Sequence, residues 1–499
     1  MSYYLGIDYG TSRFKIQIFD SSGLPQAATE GEVSMERPHP GWVEQDIASG
    51  WGQFCSALRS LLAGTGIKAE QIRAVGTTGT TNLSLMDNDG RILRPAVLYG
   101  DTRLPPQDAI QKIQTEIPSE TLVRSFGFDE LDEAKWTILL RLLPSSKLLW
   151  LRQYEPEVFE QIHTCLTASW DFVHFRLCGR VAHWAGALED EREILTYFGI
   201  PQHWFGSSVE TGQIVGCVDE RGSEESGLTV GTPLVMGGTD SLCMFLGAGM
   251  TEPEIALNAA GTTDVVAVTV GQRPEASIGY PVQHLISPLW LLSLSPVRGP
   301  TLAWFRDLLL PGGSTFADLD RLAVQAPPGS DGLLCLPYLS GEKGAVHDPE
   351  ARGVLMGLDL QHEKRHLARA VLEGIAFSTK QILEAYEIQG VKAKEVRLCG
   401  GGARSGIWNQ IKADIFNVPV QILQVLDTGC LGAAMLAAVA AGDYGDREAA
   451  CSSMSNISST ILPDPRNVEM YRSAYEAYKQ LYPLNRILFS SLKGLRQDS

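Results

Sequence analysis

The sequence predicts an α/β protein built from two similar halves. Short apolar strand patterns alternate with helix-period patterns along the chain. A strand, a glycine–threonine loop and a second strand occur twice, around Gly10-Thr11-Ser12 and around Gly261-Thr262-Thr263. The chain has 499 residues, which at about 150 residues per domain is two large units or three smaller ones. The echo sets a boundary near residue 250 and gives expected domains 1–248 and 249–499. No repeat with a solenoid period is visible.

Tyr4 to Ile7 reads as an apolar strand and Phe14 to Phe19 as its hairpin partner. Asp46 is a plausible N-cap for the helix that follows. There Trp51, Phe54, Cys55, Leu58, Leu61 and Leu62 recur at helical spacing and mark one buried face. Ile72 to Gly76 and Leu83 to Met86 read as strands, with a turn at Asp87-Asn-Asp-Gly90. From Thr102 to Leu143 the pattern weakens to charged helices and loops; helices are expected from Lys147 and over Ala168 to Phe175. Thr229 to Met236 is a strand running into Gly237-Gly-Thr-Asp240. The second hairpin, Ile255 to Val270, follows. A long helix is expected over Glu363 to Tyr386, a strand over Glu395 to Leu398, and a helix over Trp408 to Phe416 after Gly400-Gly-Gly-Ala403.

Composition narrows the function classes. Acidic residues number 58 and basic residues 41, a net charge of −17. That argues against a nucleic-acid protein, whose footprint is a basic patch or stripe. The nine cysteines are scattered without a CxxC pair, which reads as reduced thiols in a cytoplasmic protein. The first residues show no basic stretch followed by an apolar one, so no signal peptide is expected, and no apolar run reaches about 18 residues, so no membrane span is expected.

The glycine–threonine loops carry the chemistry. Backbone N–H groups and hydroxyls in a tight concavity suit phosphate oxygens. One such loop is more often a plain hairpin turn; two in matching contexts shift that balance. Gly400-Gly-Gly-Ala-Arg-Ser405, a glycine-rich turn feeding a helix, suits an anion or a flat ligand. There is no Walker A motif and no GxGxxG after a strand.

Four stretches together resemble the FGGY family of carbohydrate kinases, within the actin–hexokinase-like ATPase superfamily. They are Gly6-Ile-Asp8-Tyr-Gly-Thr-Ser12 with Lys15, Gly237-Gly-Thr-Asp240, the run from Gly341 through Asp348, Gly353 and Gly357 to Glu373, and Gly400 to Ser405 with Trp408 and Asn409. Gly429-Cys-Leu-Gly-Ala-Ala434 follows the last of them. The resemblance implies two ribonuclease-H-like (actin/hexokinase-like) domains around a central cleft, with ATP and Mg²⁺ as cofactors. Sugar and the first phosphate loop would belong to the N-terminal domain, nucleotide binding to the C-terminal one. Asp240 would be the catalytic base, whose plainer reading is a helix N-cap. Asp8 would hold Mg²⁺ through water. Gly10, Thr11, Ser12 and Lys15 would lie by the transferred phosphate, Lys15 being otherwise a solvated strand residue. Gly261, Thr262 and Thr263 would cradle phosphate from the other half, and Gly401, Gly402, Ala403 and Asn409 would line the nucleotide.

The acceptor implied is a hydroxyl of a small sugar, a ketopentose such as D-ribulose or D-xylulose. Xylulose kinases of the family carry Met-His-Gly before the hairpin turn; here the run is Thr77-Thr-Gly-Thr80-Thr81-Asn82, closer to ribulose-type kinases. Thr80 and Thr81 are sugar candidates, and so are Asp101 and Arg103, from a segment resembling the family's Trp-Asn-Asp-x-Arg. Two alternatives share the fold: a sensor that binds sugar or nucleotide without turnover, and an ATPase acting on proteins. Neither nucleic acid nor membrane is an expected partner. Family members are often dimers, so a homodimer is an open option. His362-Glu-Lys-Arg-His366 matches HExxH, but Glu384, the third-ligand candidate, stands 18 residues on, about 27 Å along one helix. That spacing cannot close a zinc site.

Overall fold

The computed structural model describes residues 2–117, 133–188, 191–261, 263–275 and 278–493. The chain forms two compact units, Met1–Gly249 with Asp427–Ser455, and Met250–Leu426 with Asn456–Ser499.

In the first unit β1 (Tyr3–Tyr9) and β2 (Arg13–Asp20) form the expected hairpin, with Asp8 directly opposite Lys15. β3 (Pro25–Glu32) pairs antiparallel to β2. On the other side β4 (Ile72–Gly79) runs parallel to β1, β5 (Ile214–Cys217) forms the edge, and β6 (Pro233–Thr239) lies parallel to β4. The order is β5-β6-β4-β1-β2-β3. α1 (Trp51–Thr65) buries the six predicted residues. Its cap is Gly50, not Asp46. Asp46 acts one bend earlier, where its Oδ1 accepts from Ser49 N at 3.1 Å.

A second sheet of this unit contains Thr81–Met86, Ala96–Leu98 and Thr164–Ala168. Leu83, Leu85, Ile113, Leu139 and Leu148 form its core with α2 (Glu133–Leu142). α2 and the helix Pro144–Tyr154 occupy part of the stretch the sequence left weakly patterned; residues 118–132 lie outside the described ones. α3 (Asp240–Gly247) starts directly from the end of β6.

In the second unit β7 (Ile255–Ala260) and β8 (Asp264–Val270) form the other hairpin. β9 (Tyr280–Gln283) and β10 (Trp290–Leu294) follow on the β8 side. β11 (Glu395–Cys399) and β12 (Val420–Leu423) run parallel beyond β7, and β13 (Ile457–Ile461) closes the edge. The order is β9-β10-β8-β7-β11-β12-β13. Both sheets contain the same five-strand ribonuclease-H-like core: three antiparallel strands, then two parallel to the first. α4 (Lys364–Ile388) and α5 (Gly406–Phe416) bury Val371, Phe377 and Ile411 in the core with Val396 and Leu398 of β11.

α6 (Thr428–Ala440) departs from a simple division at residue 249, because it belongs to the first unit. Two strand glycines permit its approach. A Cβ at Gly6 would sit 2.0 Å from Cys430 O, and one at Gly76 1.8 Å from Ala433 O. α7 (Pro465–Lys493) completes the second unit, with Tyr471, Tyr475 and Tyr478 packed against Phe377. Among the described residues no helix is long and apolar enough to cross a membrane.

Candidate active site

The first hairpin brings together four charged groups. Asp8, the last residue but one of β1, has its Oδ1 buried and without a hydrogen-bond partner. Desolvation, and then the nearby Asp240 charge, push its carboxyl up to about 7; Lys15 opposes the shift and Asp427 adds to it. Burial works against the Lys15 charge, but Asp427 outweighs it and holds the ammonium above its usual value. Lys15 Nζ donates to Asp427 Oδ1, and Gln17 Nε2 donates to Asp427 Oδ2 at 3.0 Å. Lys15 is therefore neither a solvated strand residue nor a free cation.

Asp240 is the first residue of α3, not its cap. The cap is Thr239, whose Oγ1 accepts from Leu242 N. Asp240 Oδ1 accepts from Ser241 N at 2.7 Å, while desolvation outweighs that bond and raises its pKa. Its side chain nevertheless keeps solvent-accessible surface, so a ligand can reach it. A carboxylate that is reachable and held above its usual pKa is a better proton acceptor than an ordinary aspartate.

The loop joining β1 to β2 is anchored from below. Gln45, fully buried, donates through Nε2 to Gly10 O at 3.0 Å and Thr11 O at 2.8 Å. Its Oε1 accepts from Asn82 Nδ2 at 3.4 Å. Gly10 is required by space and not by a left-handed φ, since a Cβ there would lie 2.9 Å from Arg13 O. Ser12 is exposed at the loop tip, and Thr11 Oγ1 donates to Thr80 Oγ1 at 3.4 Å.

Beside this loop lies a cavity of about 240 Å³, whose wall includes Thr81, Asn82, Tyr99, Arg141, Lys147 and Thr239. Burial first, and then the Asp240 charge, raise the Tyr99 hydroxyl above its usual pKa, which places Tyr99 within electrostatic reach of Asp240. Of the sequence candidates for the sugar, Thr81 lines this cavity. Thr80 is buried, and its N–H donates to Ser169 Oγ at 3.1 Å and Tyr9 O at 3.2 Å. Asp101 and Arg103 are taken up by each other. Asp101 Oδ1 accepts from Arg103 N and Nε, both at 2.9 Å; Oδ2 accepts from Val43 N and an Arg103 Nη, both at 2.8 Å. The Arg103 guanidinium lies 4.1 Å from the Trp42 ring centroid and 4.9 Å from that of Trp150. Every Asp101 oxygen is filled, so this pair braces the wall and leaves no acceptor for a sugar.

In the second unit Gly261 and Thr263 sit in the β7–β8 loop, both exposed; Thr262 lies outside the described residues. The glycine-rich turn packs against the end of β7. A Cβ at Gly400 would lie 2.7 Å from Ala260 O, and one at Gly402 2.5 Å from Ala260 Cβ. Gly401 is open to solvent with nothing near it. Ala403 is buried, and its carbonyl accepts from Asn409 Nδ2 at 2.8 Å. Asn409 thus shapes the loop from behind. The second-unit candidates therefore gather around Ala260, as a loop of small residues.

The HExxH histidines are engaged elsewhere. His362 pairs with Asp359 at 2.9 Å and Ser330 O at 3.2 Å; His366 Nδ1 accepts from Glu363 N at 2.8 Å and Nε2 faces Asp331 at 3.2 Å. Glu384 accepts from Tyr475 Oη at 2.7 Å. Among the described residues no three His, Cys, Asp or Glu side chains converge as a metal cage.

Sequence reasoning missed Gln45, Tyr99, Arg141 and Asp427. Only Asp427 had a readable signal, an acidic residue just before the glycine-rich helix start.

Models of the N-terminal and C-terminal domains of the FGGY family of carbohydrate kinases match residues 3–247 and 256–441. The chain is 30% identical to the xylulose kinase of Bacillus subtilis (strain 168), covering all of both chains. It is 29% identical to the xylulose kinase of Escherichia coli (strain K12), over 96% of this chain and 98% of that one. The crystal structure of xylulose kinase from Rhodospirillum rubrum superposes with a TM-score of 0.80 at 28% identity, over 98% of this chain and 100% of the other. With both domain models matched in order and full-length relatives of the same kind, this chain belongs to the FGGY family of carbohydrate kinases.

Proposed function

We propose that the chain transfers the γ-phosphoryl group of ATP to a hydroxyl of a ketopentose, D-xylulose or D-ribulose. The observation that carries this reading is the pairing of a reachable, raised-pKa Asp240 with a buried, unpartnered Asp8 oxygen beside Lys15 and Asp427. Phosphoryl transfer needs positioning and charge stabilisation more than covalent chemistry from the protein. The sugar hydroxyl attacks the γ-phosphorus, its proton passes to an Asp240 carboxylate oxygen, and the bond from γ-phosphorus to the bridging oxygen breaks to release ADP.

Mg²⁺ fits the residues present. Asp8 carries an orphaned buried oxygen, and Asp8, Asp240 and Asp427 raise the local cost of negative charge. Asp8 would hold the ion, mostly through water, as Mg²⁺ commonly uses one or two carboxylates plus phosphate oxygens. Bound there, the ion would neutralise developing phosphate charge. The chain's own residues do the rest. Gln45 holds the hairpin loop in shape, Asp427 fixes the Lys15 ammonium, and Thr239 caps α3 so that Asp240 starts its first turn. The glycine loop of the second unit suits the nucleotide, since its small residues admit a flat base.

The relatives' names favour xylulose, whereas the run Thr77-Thr-Gly-Thr80-Thr81-Asn82 is the feature closer to a ribulose-type site. ADP release coupled to a panel of ketopentoses and polyols tests the reading. Sugar-dependent release with one ketopentose preferred supports it. Sugar binding without turnover would favour a sensor, and ATP hydrolysis indifferent to every sugar would favour an ATPase that acts on proteins.

A further inference from the structure

The molecule pairs its buried arginines with carboxylates. Arg94 and Arg103 meet Glu44, Arg103 also meets Asp101, Arg298 meets Glu342, and Arg369 meets Glu373. Arg141, at the end of α2, breaks the rule. It is half-buried, its Nε is enclosed without a hydrogen-bond partner, and among the described residues no carboxylate lies within ion-pair distance of it. It lines the same cavity as Thr239, the residue preceding Asp240. The other cation in that wall is already satisfied: Lys147 Nζ donates to Asp101 O at 3.0 Å and Arg103 O at 3.2 Å. Glu191, also in the wall, accepts from Ser145 N at 2.7 Å.

A guanidinium only donates, and a partly desolvated one without an acceptor is costly. Among the described residues three buried arginines and the half-buried Arg94 all meet carboxylates, whereas Arg141 faces a cavity of sugar size. We propose that Arg141 is a specificity-determining residue of the sugar pocket, donating to an oxygen of the bound sugar other than the one phosphorylated. This rests on the kinase reading above. The ligand end it selects carries acceptors, such as a ketose carbonyl or hydroxyl oxygens; a deoxygenated end would leave the guanidinium unpaired.

Because Arg141 has no hydrogen-bond or ion-pair partner among the described residues, Arg141→Met should fold, with a melting temperature unchanged or slightly raised. In the full-length enzyme it is expected to raise the sugar KM about tenfold or more, the usual weight of a hydrogen bond to a charged group. The KM for ATP should stay put. Arg141→Lys should recover part of the loss, and it carries the test if the methionine variant misfolds. A rise in sugar KM above threefold with ATP unaffected supports the assignment. A rise of threefold or less, or an equal rise for ATP, overturns it. If the wild type turns over no sugar at all, the kinase reading itself fails.

Discussion

In the first hairpin Asp8 and Lys15 face each other across the register, next to the loop. In the second hairpin the pair in that place is Ala259 and Val265. The strands, the order and the loop type are repeated, but the charges are not. Asp8 leaves one oxygen buried and unpaired, in the field of two further carboxylates, whereas the second loop offers small residues and the backbone around Ala260. A duplicated scaffold has thus kept an aspartate facing a lysine across the hairpin in one copy. Groups held against their own stability are the ones expected to do chemistry. The second hairpin does bury a charge: Asp264, in the register pair nearest the loop, lies in the field of Lys412 on α5, both fully or almost fully buried.

The comparison can be broken first at Asp8. Asp8→Asn is expected to lower sugar-dependent kcat by about a hundredfold or more, the size usual for loss of a preorganised electrostatic group. The same change should stabilise the protein. The folded pKa of Asp8, about 7, lies above its ordinary value of 3.8. Its contribution to stability is therefore present below about pH 4 and is lost as the pH rises through 7. Thermal melts should show Asp8→Asn gaining about 2 °C at pH 8 and little at about pH 4. A loss of stability at pH 8 would mean that the aspartate is structural.

The second unit should respond in stability but not in activity. Burial lowers the Lys412 ammonium to about 8, Asp264 opposing the shift. A lowered pKa means that the buried ammonium costs stability, so Lys412→Met is expected to stabilise the fold in denaturant melts at about pH 7, with Arg298 still opposing the rise of Asp264. Adding Asp264→Asn should not lower stability further, since burial also raises the Asp264 carboxyl above its usual pKa. In both variants sugar-dependent kcat should change by less than about threefold, since neither group is in the chemistry. A large kcat loss in the refolded double variant would erase the distinction between the two hairpins.

The hairpins, the buried face of α1 and the glycine-rich turn were legible because each rests on local periodicity or on a short turn signal. α6 was not, since its return to the first unit is decided by packing against Gly6 and Gly76, far away in sequence. Gln45 and Arg141 carry no motif; they matter through what they touch or fail to touch. Asp101 and Arg103 misled for a related reason. The resemblance of their segment to the family's Trp-Asn-Asp-x-Arg suggested ligand contacts, whereas the stacked tryptophans and the mutual hydrogen bonds make them a brace.

The account turns on Asp240 as the proton acceptor. Sugar-dependent ADP release by the full chain, wild type against Asp240→Asn, tests it most directly, with ATP affinity measured separately by equilibrium binding. A loss of about a hundredfold or more, with ATP binding largely intact, is the predicted result. Turnover surviving above about a tenth of wild type would contradict it, because a general base contributes far more than that.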